Sequence, residues 1–324
     1  MASSDLTISV IIPTLNRRDD LIAAVESLLR QSREPEELII VDQSKGEESE
    51  RAVERLFAGR KGETRLVYVH DKNITGLTQA RNIGISRSLG NIIFFFDDDV
   101  VLEQEYLENV VKVFEQDHKG TIGAVYGRII HPNRNRPFSL KQIIMETGYR
   151  MITEIFLLTK SGSGRFRMSG FPTHPHPLIK GRYVECLSGA CMAFRRTVFQ
   201  DISFDENLTG YAYMEDSDIS KMLSAHYKIY YEPSARLKHN VSPRGRLNRY
   251  EVSRMLVVNH YYLSKKNWPQ NIARKAVFWW SIIGLIIRGI YPRNCSQVKG
   301  TIAGILDIFS ERNELILKAK GKKR

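Results

Sequence analysis

Short apolar runs alternate with longer amphipathic stretches through about the first hundred residues. Ile8 to Ile12, Leu38 to Val41, Leu66 to Val69 and Ile92 to Phe96 are nearly continuous apolar segments of strand length. Between them, Asp19 to Leu29, Glu48 to Phe57 and Leu77 to Ser88 repeat their apolar positions at helical spacing. Strands that are apolar throughout and joined by helical crossovers predict a doubly wound α/β sheet with parallel pairing. The second stretch is more mixed. It predicts a helix over Glu103 to Gln116, a strand over Ile122 to Ile130, a helix over Leu140 to Leu158 and a mobile Gly, Ser and Pro-rich loop from Ser161 to Pro177. Strands at Val184 to Leu187, Met192 to Phe194 and Lys228 to Tyr231 follow, with a helix at Asp216 to Ala225. Beyond His239 the pattern is wholly helical, and no internal repeat is visible.

Length changes this picture little. At 324 residues with 42% hydrophobic content, the chain can bury one large core or two modest ones. Charge changes it more. Residues 236–324 hold 19 Lys or Arg against 4 Asp or Glu, a net +15, whereas the preceding 235 residues are at −3. A slightly acidic α/β body over 1–240 therefore carries a basic helical extension over 241–324. Within that extension, Ala276 to Ile287 is a twelve-residue apolar run containing Trp279 and Trp280, bracketed by Arg274, Lys275 and Arg288. At 1.5 Å per residue the run spans about 18 Å, too short for a hydrocarbon core of about 30 Å. Adjacent Trp residues, flanking cations and the terminal Lys318, Lys320, Lys322, Lys323 and Arg324 suit a helix lying in an anionic lipid interface. The same pattern also fits a helix packed on the body or an oligomer contact. Cys186, Cys191 and Cys295 show no zinc-type spacing, and Met1 to Leu6 does not begin a signal peptide. Both features point to a reducing, cytoplasmic setting, and the basic, Trp-bearing tail adds a peripheral place on the inner face of a cell membrane.

The chemistry concentrates where the fourth apolar run ends. Asp97, Asp98 and Asp99 follow Phe96 directly, at the sheet edge where open α/β folds bind ligands. Carboxylates about 5 Å apart repel by roughly 3 kcal/mol at an effective dielectric near 20. A divalent cation relieves that repulsion, and oxygen ligands suit Mg2+ or Mn2+. A solvated loop capping the next helix is the plainer reading of the same three residues.

Five segments in order resemble the signatures of family 2 glycosyltransferases with the GT-A fold. They are Ile11 to Arg17, Ile40 to Ser44, Gly76 to Gly84, the Asp97 to Asp99 run, and Glu215 to Asp218. The resemblance covers roughly residues 6–240 and extends to bacterial rhamnosyltransferase-like enzymes of cell-envelope polysaccharide. It implies a nucleotide-binding half over 1–100 and an acceptor-binding half over 101–240. It also implies that Pro13, Thr14, Asn16 and Arg17 line the nucleotide pocket and that Asp42 accepts from the base. Arg81 and Asn82 would lie beside the nucleotide, Asp97 and Asp98 would bind the donor, and Asp97 and Asp99 would hold the metal. His239, in Leu237 to Asn240, resembles the histidine that completes such a metal site, and Ser188 to Cys191 resembles a glycine turn near the sugar.

By the same resemblance Asp216 is the catalytic base and Glu215 its neighbour. The Gly210 to Met214 spacing is longer than usual and leaves Asp218 open as the base. An acidic first helical turn is also an ordinary structural feature. Arg244 and Arg246 are candidates for closing over phosphate. The implied activity is inverting transfer of one hexosyl unit from a UDP- or dTDP-sugar, with Mn2+ or Mg2+, to a saccharide or polyprenyl-linked acceptor. The Gln-x-x-Arg-Trp segment and membrane spans of processive synthases are absent, so single addition is expected. Two alternatives remain at this level. A nucleotidyltransferase would use a related sheet but lacks its glycine-rich loop here, and a membrane or nucleic-acid scaffold would leave the acidic cluster unexplained. No nucleic-acid partner is expected.

Overall fold

The computed structural model describes residues 6–60, 62–130, 140–175, 178–242, 246–290, 294–310 and 313–321. The first part runs β1 (Ile8–Thr14), α1 (Arg18–Leu28), β2 (Glu37–Asp42), α2 (Glu48–Ala58), β3 (Arg65–His70), α3 (Leu77–Arg87) and β4 (Ile92–Phe96). Its strands pair in parallel in the order β3-β2-β1-β4. β1, β2 and β4 are buried along their whole length, which is why they read as unbroken apolar runs.

Direction changes after β4. The chain continues through β5 (Val100–Leu102), α4 (Tyr106–Gln116), β6 (Ile122–Ile130), α5 (Leu140–Ile155), β7 (Lys160–Ser161), β8 (Thr173–His174), β9 (Arg182–Val184), β10 (Cys191–Arg195), α6 (Glu215–Leu223) and β11 (Lys228–His239). β10 lies antiparallel between β4 and β6, and β11 pairs with β6 in parallel and with β5 and β9 antiparallel. The sheet is therefore mixed. Its main core joins both halves through side chains such as Ile11, Phe95, Val125, Phe194 and Tyr231.

Two differences from the sequence pattern matter for the site. β5 occupies Val100 to Leu102, ahead of the helix, and its pairing with β11 sets His239 opposite Val100. That register carries the histidine to the residue beside Asp99. The Ser161 to Pro177 segment, expected to be loose, is packed over the residues described. β7 pairs with β8, Phe171 is 2% exposed, and its ring stacks on His260 at 4.2 Å.

The remaining helices are α7 (Arg249–Asn267), α8 (Ile272–Ile290), α9 (Cys295–Ser310) and α10 (Glu314–Ala319). α7 starts with a capping box in which Asn248 and Glu251 satisfy each other's backbone N–H groups. These helices build a second core with the body, where Leu256, Phe278, Ile282 and Leu285 meet Phe156, Phe171 and Met214. A Cβ added at Gly284 would lie 2.1 Å from the Phe156 side chain, so glycine sets the close approach of α8 to the body. One face of the Trp-bearing helix is thus committed to packing. Among the described residues no helix is long and apolar enough to cross a membrane.

Candidate active site

A cavity of about 1060 Å3 opens at the C-terminal ends of β1 and β4. Its first wall is formed by Pro13, Thr14 and Arg17 after β1, Gln43 after β2 and the turn ahead of α3. Gly76 in that turn bridges to Gly210, and a Cβ on it would fall 2.4 Å from the Gly210 nitrogen. Only glycine permits two chain segments to meet so closely there.

The three aspartates after β4 have separate surroundings. Asp98 turns inward, where it accepts from Thr14 Oγ1 at 2.8 Å and from Arg17 Nη1 at 2.9 Å. Burial nevertheless pushes its carboxyl up to about 6 against the pull of Arg17. Asp97 is also pushed up to about 6, chiefly by burial, with Arg81 and His239 opposing. Burial acts on Asp99 in the same sense, but the facing His239, the Ser242 N–H and Arg17 outweigh it and hold the group at about 2.

Asp97, Asp99 and His239 each present one ligand atom, and these atoms lie within 4.8 Å of one another. His239 Nε2 and Asp99 Oδ1 are 2.9 Å apart, yet neither buried atom makes a well-directed hydrogen bond. Two buried polar atoms that converge without satisfying each other fit a shared cation, and two carboxylates with one imidazole are a chemically suitable set for Mn2+.

A second acidic pair faces this cluster. Glu215 opens α6, and Met214 before it takes a left-handed φ of 77°, which turns the helix start toward the cavity. Asp216 Oδ2 accepts from the Gly189 N–H at 3.1 Å and Oδ1 from the Ser217 N–H at 2.7 Å. Burial raises the Asp216 carboxyl above its ordinary value despite these N–H groups and Arg81. Glu215 is raised by burial too, with Arg81 opposing.

Arg81 links the two clusters. It is 1% exposed, donates to Glu215 Oε1 and to the Gly189 carbonyl at 3.0 Å, and stands 3.6 Å from Asp97 Oδ1. Its guanidinium lies 5.1 Å from the Phe204 ring centre, so packing fixes it as firmly as charge does.

Of the residues expected at the site, Pro13, Thr14, Arg17, Arg81, Asp97, Asp98, Asp99, Glu215, Asp216 and His239 line the cavity. Asn16, Asp42 and Asn82 do not. Asn16 is exposed with φ 55°, and its N–H donates to Ser44. Asp42 is 0% exposed and accepts from Tyr68 Oη and the Ser44 N–H, so it fastens the β2 end and leaves Gln43 to face the cavity. Asn82 is taken up by Phe204 and Glu206. Asp218 is held behind α6 by Lys266 and Asn267. Arg246 lines the cavity with its Nη2 3.5 Å from Asp99, whereas Arg244 lies outside the described residues.

The sequence pattern missed the opposite wall. Tyr149 on α5, Thr159, His174 on β8, Leu256 on α7 and Arg288 on α8 all reach the cavity, as do Tyr211 and Tyr213. The two tyrosines stack at 6.4 Å within the Gly210 to Met214 segment. The unusual length of that segment was the one available signal.

A model of glycosyl transferase family 2 matches residues 9–203. An uncharacterized glycosyltransferase of Rickettsia bellii is 35% identical over 114 residues, covering 35% of this chain and 16% of the relative. The minor teichoic acid biosynthesis protein GgaB of Bacillus subtilis is 32% identical over 145 residues, covering 42% of this chain and 16% of the relative. The chain thus spans less than a fifth of the length of these two relatives. The solved mannosyltransferase PcManGT from Pyrobaculum calidifontis, in complex with GDP-Man and Mn2+, superposes with a TM-score of 0.54 at 15% identity. That match covers 98% of this chain and 79% of PcManGT, and it shows a shared GT-A fold. Because the matching family model runs from β1 past β10 and takes in the acidic strand end, this chain belongs to glycosyltransferase family 2.

Proposed function

We propose that the chain transfers one sugar, with inversion, from a nucleoside-diphosphate sugar to a hydroxyl of a saccharide acceptor. The observation that carries this reading is the placement of Asp216 across one cavity from the Asp97, Asp99 and His239 cluster, with Arg81 spanning the two. One side is suited to a departing diphosphate and the other to an incoming hydroxyl.

On the donor side, Thr14, Arg17 and Asp98 form a fixed hydrogen-bonded floor, and Arg246 and Lys72 add positive charge at the rim. Asp97, Asp99 and His239 would hold Mn2+ or Mg2+, and a bound ion there supplies Lewis-acid stabilisation to the leaving diphosphate. On the acceptor side, Asp216 takes the hydroxyl proton as the oxygen attacks the anomeric carbon from the face opposite the diphosphate. The products are the glycoside, the nucleoside diphosphate and a protonated Asp216 that returns its proton to water. The Gly189 and Ser217 N–H groups fix the orientation of this carboxylate, and its raised affinity for a proton makes it a stronger base than an exposed aspartate. Arg81 keeps Glu215 engaged beside it, so the pair does not compete for one proton.

A UDP- or dTDP-sugar donor and a lipid-linked or cell-envelope acceptor, met at the inner face of a cell membrane, complete the reading. The likeness to GgaB supports the envelope assignment, and the aromatic and apolar acceptor wall supports a saccharide carried on a larger molecule. The stereochemical course is the test. With an α-linked donor, proton NMR of the product should show a β-configured anomeric proton, and a retained α linkage would overturn the single-displacement role of Asp216.

A further inference from the structure

α8, which brings Arg288 to the cavity, and α9 beside it carry exposed apolar side chains on their outer sides. On α8, Ile283 and Ile290 lie on one side of the helix, with Trp280 at its edge stacked on Phe156 at 4.7 Å, and on α9, Ile302, Leu306 and Phe309 recur on one side. Leu306 and Phe309 are 62% and 67% exposed, far more than a monomer needs to leave open at helical spacing. The two stripes join where Trp279 of α8 stacks on Phe309 of α9 at 5.5 Å.

Charge around this face has one sign. α8 contains no carboxylate; of its cations Lys275 is exposed, whereas Arg274 packs on Trp268 and Arg288 turns to the cavity beside Tyr149. α9 contains Lys299 and a single acid, Asp307, which is 8% exposed and clasped by both nitrogens of Arg254 at 2.6 and 2.9 Å. A second copy of the same face would bring cations against cations, which disfavours a symmetric dimer through it. A lipid surface with anionic headgroups matches both the apolar stripe and the surrounding charge.

Position gives the face its role. Arg288 and Tyr149 both line the cavity, with the Arg288 guanidinium 5.9 Å from the Tyr149 ring centre. α8 therefore carries cavity wall on one side and the apolar stripe on the other. We infer that the α8–α9 face docks on an anionic bilayer and presents the acceptor half of the cavity to a saccharide anchored in that bilayer. The inference rests on the glycosyl-transfer reading for the identity of the substrate, but the docking itself does not depend on catalysis.

The test is co-sedimentation of the full chain with vesicles of phosphatidylglycerol and phosphatidylcholine, compared with vesicles of phosphatidylcholine alone. Wild type should partition onto the anionic vesicles. The double variant Leu306→Glu with Phe309→Glu should lose about tenfold or more of that partition, since two exposed apolar side chains no longer enter the lipid. Its transfer to a water-soluble acceptor should stay at the wild-type rate, because neither residue touches the cavity. A wild-type chain that ignores anionic vesicles overturns the inference. So does a dimer in size-exclusion chromatography that the double variant dissolves, which would make the face a contact between copies. Vesicle binding with no sugar transfer to any acceptor would instead sink the proposed reaction and leave the docking intact.

Discussion

Asp99→Ala should reduce sugar transfer by at least about 10²- to 10³-fold, the range seen when one preorganised electrostatic contact to a leaving group is removed. The expectation follows from the convergence of Asp99 on His239 and Arg17 and from its acceptance of the Ser242 N–H at 2.9 Å. Removing it leaves His239 with Asp97 alone, too few ligands to keep a hard cation at this strand end. Because the variant also frees a buried N–H, Asp99→Asn is the necessary companion. It keeps the side-chain shape and removes the charge, so both variants should fail if charge is what matters. The measurement is initial rate against Mn2+ concentration, with circular dichroism to confirm folding. A near-wild-type rate in Asp99→Asn after chelation of divalent ions would sink the metal assignment.

The second large effect is expected at Asp216. Asp216→Asn should preserve donor binding and lower kcat by about 10²- to 10⁴-fold, the usual contribution of a positioned general base. The wild-type pH profile should show an acid limb above the ordinary carboxylate range, since burial raises the Asp216 proton affinity. The sign is fixed by the role. A base works only when deprotonated, so activity falls as pH drops through that raised value, and the limb should vanish in Asp216→Asn. Asp218→Asn is the control. Held by Lys266 and Asn267 away from the cavity, Asp218 should be dispensable for the chemical step. Loss of activity in Asp218→Asn with retention in Asp216→Asn would reverse the assignment.

These expectations divide along a line set by sequence separation. β1, β2 and β4 were legible because burial on both faces leaves an unbroken apolar run, and Ile92 to Phe96 matches β4 residue for residue; the part-exposed edge strand β3 was legible from the short apolar run Leu66 to Val69. The acidic strand end was legible for the same reason, since nothing apolar follows Phe96 until Val100. β5 was not. Three residues carry no periodicity, and Val100 to Leu102 becomes a strand only because β11 returns to pair with it.

The choice between Asp216 and Asp218 shows how far local pattern reaches. At about 100° per residue the two point to opposite sides of α6, so one alone can face a ligand. Which one does depends on α7, some fifty residues later, whose Lys266 claims Asp218. Asp42 lies outside the cavity lining for a similar reason, because Tyr68 from the neighbouring strand takes its second oxygen. The opposite wall of the cavity was the least visible part. Tyr149, His174 and Arg288 are ordinary residues in their own segments and become a surface only when α5, β8 and α8 close on the second core.

The proposed transfer depends on acidic and imidazole groups at one sheet rim gathering a cation that binds the nucleotide diphosphate. Its most direct test is the thermal stability of the wild-type chain with a panel of nucleotide sugars, each measured with Mn2+ and with chelator. A ligand present at about 100 times its Kd adds roughly 2.7 kcal/mol to the native state, which is readily seen as a rise in Tm. A matching donor should raise Tm with Mn2+, and chelation or Asp99→Asn should remove the rise. An equal rise in the presence of chelator would contradict that dependence.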